Sequence, residues 1–241
     1  MRNKIITLLV ILSIFIMPST ASSTLTATPA NTQLSINGQA VQGVYINDKL
    51  YLPARDTFEK AGWVVDYKTG KTDIYTPEYK LSPYCVYIES SHGTGSGVLV
   101  NGKILTAYHV VNNSPTLKIM DYQQLSHTAK LLKYDESLDI ALLSTDMTGG
   151  VEIGDSNIPN YTYVDLITCP KGVLNVYDKG KFMWISEGET LMPIRSTKIY
   201  PGSSGGAVFY QNKLIGIIQK GDDGLFGGFA MPINKIKDFL K

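Results

Sequence analysis

Cysteine is nearly absent: Cys85 and Cys169 are the only two thiols in 241 residues. Two cysteines permit one intramolecular pairing, and no Cys/His pair has the spacing of a zinc site. Neither a metal nor a cofactor is expected. At this level a Cys85–Cys169 disulfide and two buried free thiols acting as small apolar groups both stay open. An excess of one charge is also missing. Lys and Arg total 22 against 21 Asp and Glu, a formal net charge of +1. That excludes the electrostatic footprint of a nucleic-acid binder and a polybasic tract for a membrane surface.

Long apolar runs are absent too. The most apolar stretch, Ile5 to Met17, falls short of the roughly 20 residues that span a hydrocarbon core as a helix. Arg2 and Lys4 precede it and Pro18-Ser19-Thr20-Ala21 follows. This is the pattern of a secretory signal peptide over residues 1–21, cleaved after Ala21. It predicts a secreted, extracellular protein in an oxidising compartment, with no stable membrane anchor. What is present is ordinary for a folded chain, 44% hydrophobic and 18% charged.

Residues 22–31 are Ser, Thr, Ala and Pro with little else, the composition of a flexible leader. A compact set of elements follows. Leu34-Ser35-Ile36 alternates and meets the hairpin signal Asn37-Gly38. Strands are expected over 41–46, 50–52, 63–67 and 73–75, with a helix over 54–61 capped by Gly62. Ile36-Asn37-Gly38, Leu50-Tyr51-Leu52-Pro53-Ala54-Arg55 and Ala61-Gly62-Trp63-Val64-Val65-Asp66 resemble the small N-terminal stalk domain of copper amine oxidases. The resemblance covers 32–77 and implies a small α+β domain that binds or spaces, with a partner at the cell wall or surface, and without copper. The prolines of 76–83 mark a domain boundary, so a second domain is expected over 78–241.

From Tyr84 onward the chain reads as short strands between Gly, Asn and Asp turns, the pattern of an all-β barrel or sandwich. Predicted strands include 86–88, 97–100, 103–106, 116–120, 129–133, 140–143, 163–167, 182–185, 206–210, 214–219 and 229–231. A helix over 234–240 carries Ile236, Phe239 and Leu240 on one face. Three segments within this region carry chemistry. They are Ile104-Leu105-Thr106-Ala107-Tyr108-His109, Leu138-Asp139-Ile140-Ala141-Leu142 and Pro201-Gly202-Ser203-Ser204-Gly205-Gly206.

Each segment alone is a modest signal; in the order His, Asp, Ser, each at a strand edge, they form a constellation. Peptide hydrolysis needs a nucleophile, a base for its proton and an orienter for the base. Ser204 fits the first role, His109 the second and Asp139 the third. The backbone N–H groups of Gly202 and Ser204 are candidates for the oxyanion hole, because glycine takes the backbone angles that aim an amide inward. His92 and His127 read as exposed and unengaged.

Gly93 to Val100, Leu105 to Val111, Asp139 to Leu143, Pro201 to Gly206 and Gly228 to Ile233 resemble the chymotrypsin-like serine proteases. Within them the chain is most similar to the bacterial high-temperature-requirement branch, with its PDZ module outside the resemblance. The resemblance covers 84–241. It implies a mainly β fold of two six-stranded antiparallel β-barrels with a C-terminal helix and a polypeptide substrate. It places Lys198, Ile199, Gln219, Gly221 and Phe229 in the substrate pocket. Ser203 stands where the family has Asn. If Lys198 points inward, an acidic side chain is favoured before the cut. If it points out, Ile199 and Phe229 favour a small or medium apolar one. The competing reading is a catalytically silent binding protein that keeps the protease fold.

Overall fold

The computed structural model describes residues 77–185, 189–222 and 226–241 continuously. Toward the N-terminus it describes 28–29, 34–36, 39–41, 43–46, 49–53, 57–58, 64–68 and 71–75. The apolar run at 5–17, the leader apart from Thr28 and Pro29, and most of the helix expected over 54–61 lie outside these residues.

Contacts divide the chain into two units, 1–53 and 54–241. In the first, β1 (Thr28–Pro29), β4 (Val44–Ile46) and β5 (Lys49–Tyr51) form a three-stranded sheet, and β2 (Leu34–Ile36) pairs with β3 (Gln39–Val41). The β2–β3 register, Ile36 opposite Gln39, is that of a two-residue hairpin, as Asn37-Gly38 demands.

The second unit opens with the hairpin of β6 (Val64–Lys68) and β7 (Lys71–Tyr75), then the short helix α1 (Pro77–Leu81). Two larger β layers follow. The first contains β8 (Cys85–Ser90), β9 (Gly93–Val100), β10 (Lys103–Ala107), β11 (Lys118–Met120), β12 (Ser126–His127), β13 (Ala129–Asp135) and β14 (Ile140–Thr145). Their order is β12-β11-β8-β9-β10-β14-β13, a curled seven-stranded sheet. The helical turn α2 (Tyr108–Val111) follows β10 directly.

The second layer is a closed six-stranded barrel, β15-β16-β17-β20-β19-β18. Its strands are β15 (Tyr163–Thr168), β16 (Val176–Phe182), β17 (Met192–Arg195), β18 (Ala207–Tyr210), β19 (Lys213–Gly221) and β20 (Gly227–Pro232). The double-barrel expectation is met, with the first layer curled rather than closed and counting seven strands instead of six.

Two boundaries differ from expectation. The strand expected over 182–185 is β16, which ends at Phe182; its charged residues and Gly180 hide the alternation. Gly180 is there because Ile194 and Leu166 fill the place of its side chain, 2.9 and 3.0 Å from where a Cβ would stand. The helix expected over 234–240 is regular only as α3 (Ile233–Ile236), followed by a turn in which Leu240 N–H donates to the Ile236 carbonyl.

Each layer has its own apolar core, and a third cluster joins them. Val98, Leu105 and Ile140 from the first layer pack with Ile167, Phe209, Ile217 and Met231 from the second, all buried. Burial on this scale holds the layers in one arrangement, at about 1.5–3 kcal/mol per fully buried large side chain. The cleft described next lies across that fixed junction.

Candidate active site

The register of β10 against β14 brings His109 and Asp139 together. Ala107, the last residue of β10, stands opposite Ile140, the first of β14. The residues just past those ends must therefore meet. His109 Nδ1 lies 2.7 Å from Asp139 Oδ2, and the His109 backbone N–H donates to Oδ1 at 2.9 Å. Tyr108 N–H closes the turn onto the Asp139 carbonyl at 3.1 Å. Asp139 sits in the left-handed region at φ 51°, a conformation that short polar side chains tolerate. An ionised carboxylate only accepts hydrogen bonds, so Nδ1 carries the ring proton and Nε2 keeps a free lone pair.

Ser204 comes from the second barrel, on the turn leading into β18. It shares a cleft of about 570 Å³ with His109, Asp139, Ile199, Tyr200, Gln219, Gly221 and neighbouring residues. Its hydroxyl donates to the Gln219 carbonyl at 2.9 Å. Among the described residues it makes no hydrogen bond to His109.

The turn before Ser204 is held tightly. Pro201 carbonyl accepts from Lys171 N–H at 2.8 Å. Across a trans peptide the next N–H points the opposite way, so Gly202 N–H faces away from Lys171. Gly202 has φ 94°, which glycine adopts without steric cost. Neither Gly202 N–H nor Ser204 N–H finds a partner among the described residues. At Gly205, φ 83°, an added Cβ would run into the Ser96 carbonyl and the Thr106 hydroxyl.

Two residues have positioning contacts that the sequence does not show. Ser96 Oγ donates to the Gly202 carbonyl at 2.8 Å and accepts from Cys169 N–H at 2.7 Å. Ser96 N–H donates to the Ser204 carbonyl at 2.7 Å, and Thr106 Oγ1 donates to the Ser96 carbonyl at 2.6 Å. Gln219 is the second. Its Nε2 donates to the Leu138 carbonyl at 2.5 Å and the Asp139 carbonyl at 3.2 Å. One residue of the second barrel thus holds the Asp139 turn by its side chain and the Ser204 hydroxyl by its backbone. The Gly95-Ser96-Gly97 sequence was visible, but its contacts were not.

Of the expected pocket residues, Ile199, Gln219 and Gly221 line the cleft. Gln219 does so with its amide engaged by the first layer rather than offered to a ligand. Lys198 and Phe229 are not among the lining residues. Lys198 is exposed, and its ammonium donates to the Tyr177 carbonyl at 2.9 Å. The Phe229 ring packs against Phe226 under the Lys220 ammonium. Tyr200 lines the cleft, whereas Tyr108 stacks on Tyr134 with ring centroids 4.2 Å apart. The reading of His127 is corrected: it is held between Asp121 at 3.2 Å and Asp146 at 3.3 Å, with 17% of its side chain exposed. His92 is exposed.

Cys85 and Cys169 are both buried free thiols. Burial raises the Cys85 pKa well above its ordinary value, and it pushes Cys169 up to about 11. At pH 8 about one Cys169 thiol in a thousand is then ionised. The native protein is expected to react negligibly with a thiol-disulfide reagent, and to release two thiols on denaturation. Prompt native reaction would contradict this burial, and no thiol after denaturation would mean that the two are bonded.

Two β-barrels with His, Asp and Ser facing one cleft define the trypsin-like class of serine peptidases. The chain belongs to the trypsin-like peptidase domain family, whose model matches residues 95–217. It is 33% identical over 174 residues to the serine protease Do-like HtrA of Bacillus subtilis, covering 62% of this chain and 39% of that protein. It is 32% identical over 173 residues to a probable periplasmic serine endoprotease DegP-like of Rickettsia conorii, covering 61% and 33%. The chain thus spans less than half the length of these relatives.

Among solved structures, the serine endoprotease from Yersinia pestis matches with a TM-score of 0.61 at 23% identity, over 68% of this chain and 64% of that one. The Rv3671c protease in its inactive form matches with 0.60 at 18%, over 68% and 90%. Both show the shared fold. Among the described residues no helix is long and apolar enough to cross a membrane.

Proposed function

We propose that the protein is a secreted serine endopeptidase in which His109, Asp139 and Ser204 form the catalytic triad. The observation that carries this is the two-point contact of Asp139 with His109, which leaves Nε2 free in the cleft that Ser204 shares. Rotation about the Ser204 Cα–Cβ bond takes Oγ from the Gln219 carbonyl toward Nε2. Oγ then attacks the scissile carbonyl carbon while its proton passes to Nε2. The carbonyl π pair moves onto oxygen, and Gly202 and Ser204 N–H groups stabilise that charge. Collapse of this intermediate breaks the C–N bond, the amine leaves with the proton from Nε2, and water repeats the sequence to free the acid.

Ile199 restricts the pocket for the residue before the cut, since its Cδ1 lies 2.7 Å from where a Cβ on Gly228 would stand. With Lys198 turned outward, a small apolar residue fits best. In this reading residues 1–21 direct export and residues 32–77 act as a stalk-like module toward a cell-wall or surface partner. No membrane anchor and no nucleic acid enter it.

A fluorophosphonate probe tests the proposal, because it reacts only with an activated serine. The mature protein is expected to label stoichiometrically, and Ser204→Ala is expected to lose all labelling. The resting contact of Ser204 with Gln219 is the observation that favours the silent-binder reading. A folded protein that stays unlabelled would put that reading in its place.

A further inference from the structure

A row of aromatic rings runs over the second barrel from the edge of the cleft. Lys220 lines the cleft, and its ammonium stands 5.3 Å from the centre of the Phe229 ring. Phe229 meets Phe226 at 6.0 Å, Phe226 meets Trp184 at 5.7 Å, and Trp184 meets Tyr161 at 6.0 Å. Beyond Tyr161, the Lys181 ammonium lies 5.6 Å from that ring and 5.3 Å from Tyr163. The outer rings are open to solvent, with Tyr161 54%, Tyr163 61% and Trp184 36% exposed. Among the described residues neither Lys181 nor Lys220 has a carboxylate partner. Contiguous exposed aromatic surface marks an interaction site, and Trp and Tyr are the residues that anchor such contacts.

The cleft end of the row indicates what covers it. β18 pairs with β19 as far as Ile217, and the last backbone bonds on that side are made by Ile218, whose N–H donates to the Gly206 carbonyl and whose carbonyl accepts from Gly205 N–H. β20 continues along the other side, to Gly221 opposite Gly228. The segment Gln219–Gly221 therefore presents one open edge to the cleft. An extended polypeptide can add there as a strand. In the antiparallel sense that the neighbouring strands use, its residues before the scissile bond run from Gln219 toward Gly221 and on to Phe226. Alternate side chains of an extended chain are about 6.6 Å apart, close to the 5.7–6.0 Å steps between the rings.

We infer that Phe229, Phe226, Trp184 and Tyr161, with Lys220 and Lys181, form an extended substrate track. It takes the amino-side segment of a polypeptide beyond the residues paired with β19, and it selects segments with apolar or aromatic side chains at alternate positions and an acidic side chain toward either end, where Lys220 and Lys181 stand. The inference rests on the endopeptidase reading for the identity of the cleft.

The test uses full-length Ser204→Ala protein and fluorescence anisotropy with two labelled peptides. One ends four residues before the scissile bond. The other extends it by six residues that alternate Phe with Ser and carry one Glu at the amino end. The extension is expected to tighten binding by about tenfold or more. Trp184→Ala with Tyr161→Ala is expected to abolish that gain, with circular dichroism confirming the fold. An extension that gains nothing, or a gain that survives both substitutions, would overturn the track. So would sedimentation showing a self-associated wild type that Trp184→Ala dissociates, because the face would then be covered by a second copy. Fluorophosphonate labelling of the wild type separates the two readings. Labelling without a gain from extension removes the track alone, whereas a gain without labelling leaves a polypeptide-binding track and removes the peptidase.

Discussion

Asp139→Asn is expected to lower kcat/KM for a fluorogenic peptide by about four orders of magnitude at neutral pH, the scale seen when this substitution reverses the tautomer of a triad histidine. The geometry leaves no harmless placement for the amide. Both carboxylate oxygens of Asp139 accept from His109, one from the backbone N–H and one from Nδ1–H. Asparagine offers one acceptor and one donor. If its oxygen keeps the backbone bond, its NH₂ faces Nδ1, the ring proton moves to Nε2, and the base can no longer take the serine proton. If the amide flips, two donors oppose each other at the His109 backbone, at a cost of about 1–3 kcal/mol.

The first placement avoids that clash and is favoured; it disables the base while the fold survives. The Asp139 main chain is still held by Tyr108 N–H and by the Gln219 amide. Initial rates beside thermal unfolding check this. A loss of less than about tenfold would mean that Asp139 does not orient the base.

The residues of the proposed triad are legible where chemistry sits in contiguous sequence. His109, Asp139 and Ser204 each lie in a short motif at a strand edge, and the β10–β14 register that joins two of them follows from strands that alternate plainly. What was hidden acts through space. Ser96 reaches Gly202 across 106 residues, and nothing in Gly95-Ser96-Gly97 names its partners. The family resemblance places Gln219 in the pocket, and only the fold shows its amide crossing to the first layer. Lys198 could not be oriented from sequence, because a lysine stem lets the ammonium swing to the nearest acceptor, here the Tyr177 carbonyl. His127 looked idle because Asp121 and Asp146 meet it only after β11, β12 and β14 have folded. The aromatic row was invisible for the same reason: its rings come from three separate stretches of chain.

Removing the Ser96 hydroxyl is the second large effect. Ser96→Ala is expected to reduce kcat by about a hundredfold, the lower end of what losing one oxyanion donor costs, with KM changed by less than about threefold. The hydroxyl both donates to the Gly202 carbonyl and accepts from Cys169 N–H. Alanine leaves two buried backbone groups without partners, each costing about 1–3 kcal/mol unless the turn shifts to find another. A shift is the cheaper response: it turns the Gly202–Ser203 peptide that the hydroxyl held and, through Gly202, disturbs the adjoining Pro201–Gly202 peptide whose N–H is proposed for the oxyanion.

Ground-state binding does not use that N–H strongly, because the charge it stabilises develops only on the way to the tetrahedral intermediate. Affinity for a peptide aldehyde, whose hemiacetal adduct mimics that intermediate, should therefore fall in step with kcat/KM. Peptide affinity in the Ser204→Ala background should stay put. Thr106→Ala, which frees the Ser96 carbonyl from a 2.6 Å bond, should give a weaker version of the same pattern. A Ser96→Ala protein that melts earlier but keeps its kcat would show that Ser96 serves stability alone, and that Lys171 by itself fixes the oxyanion turn.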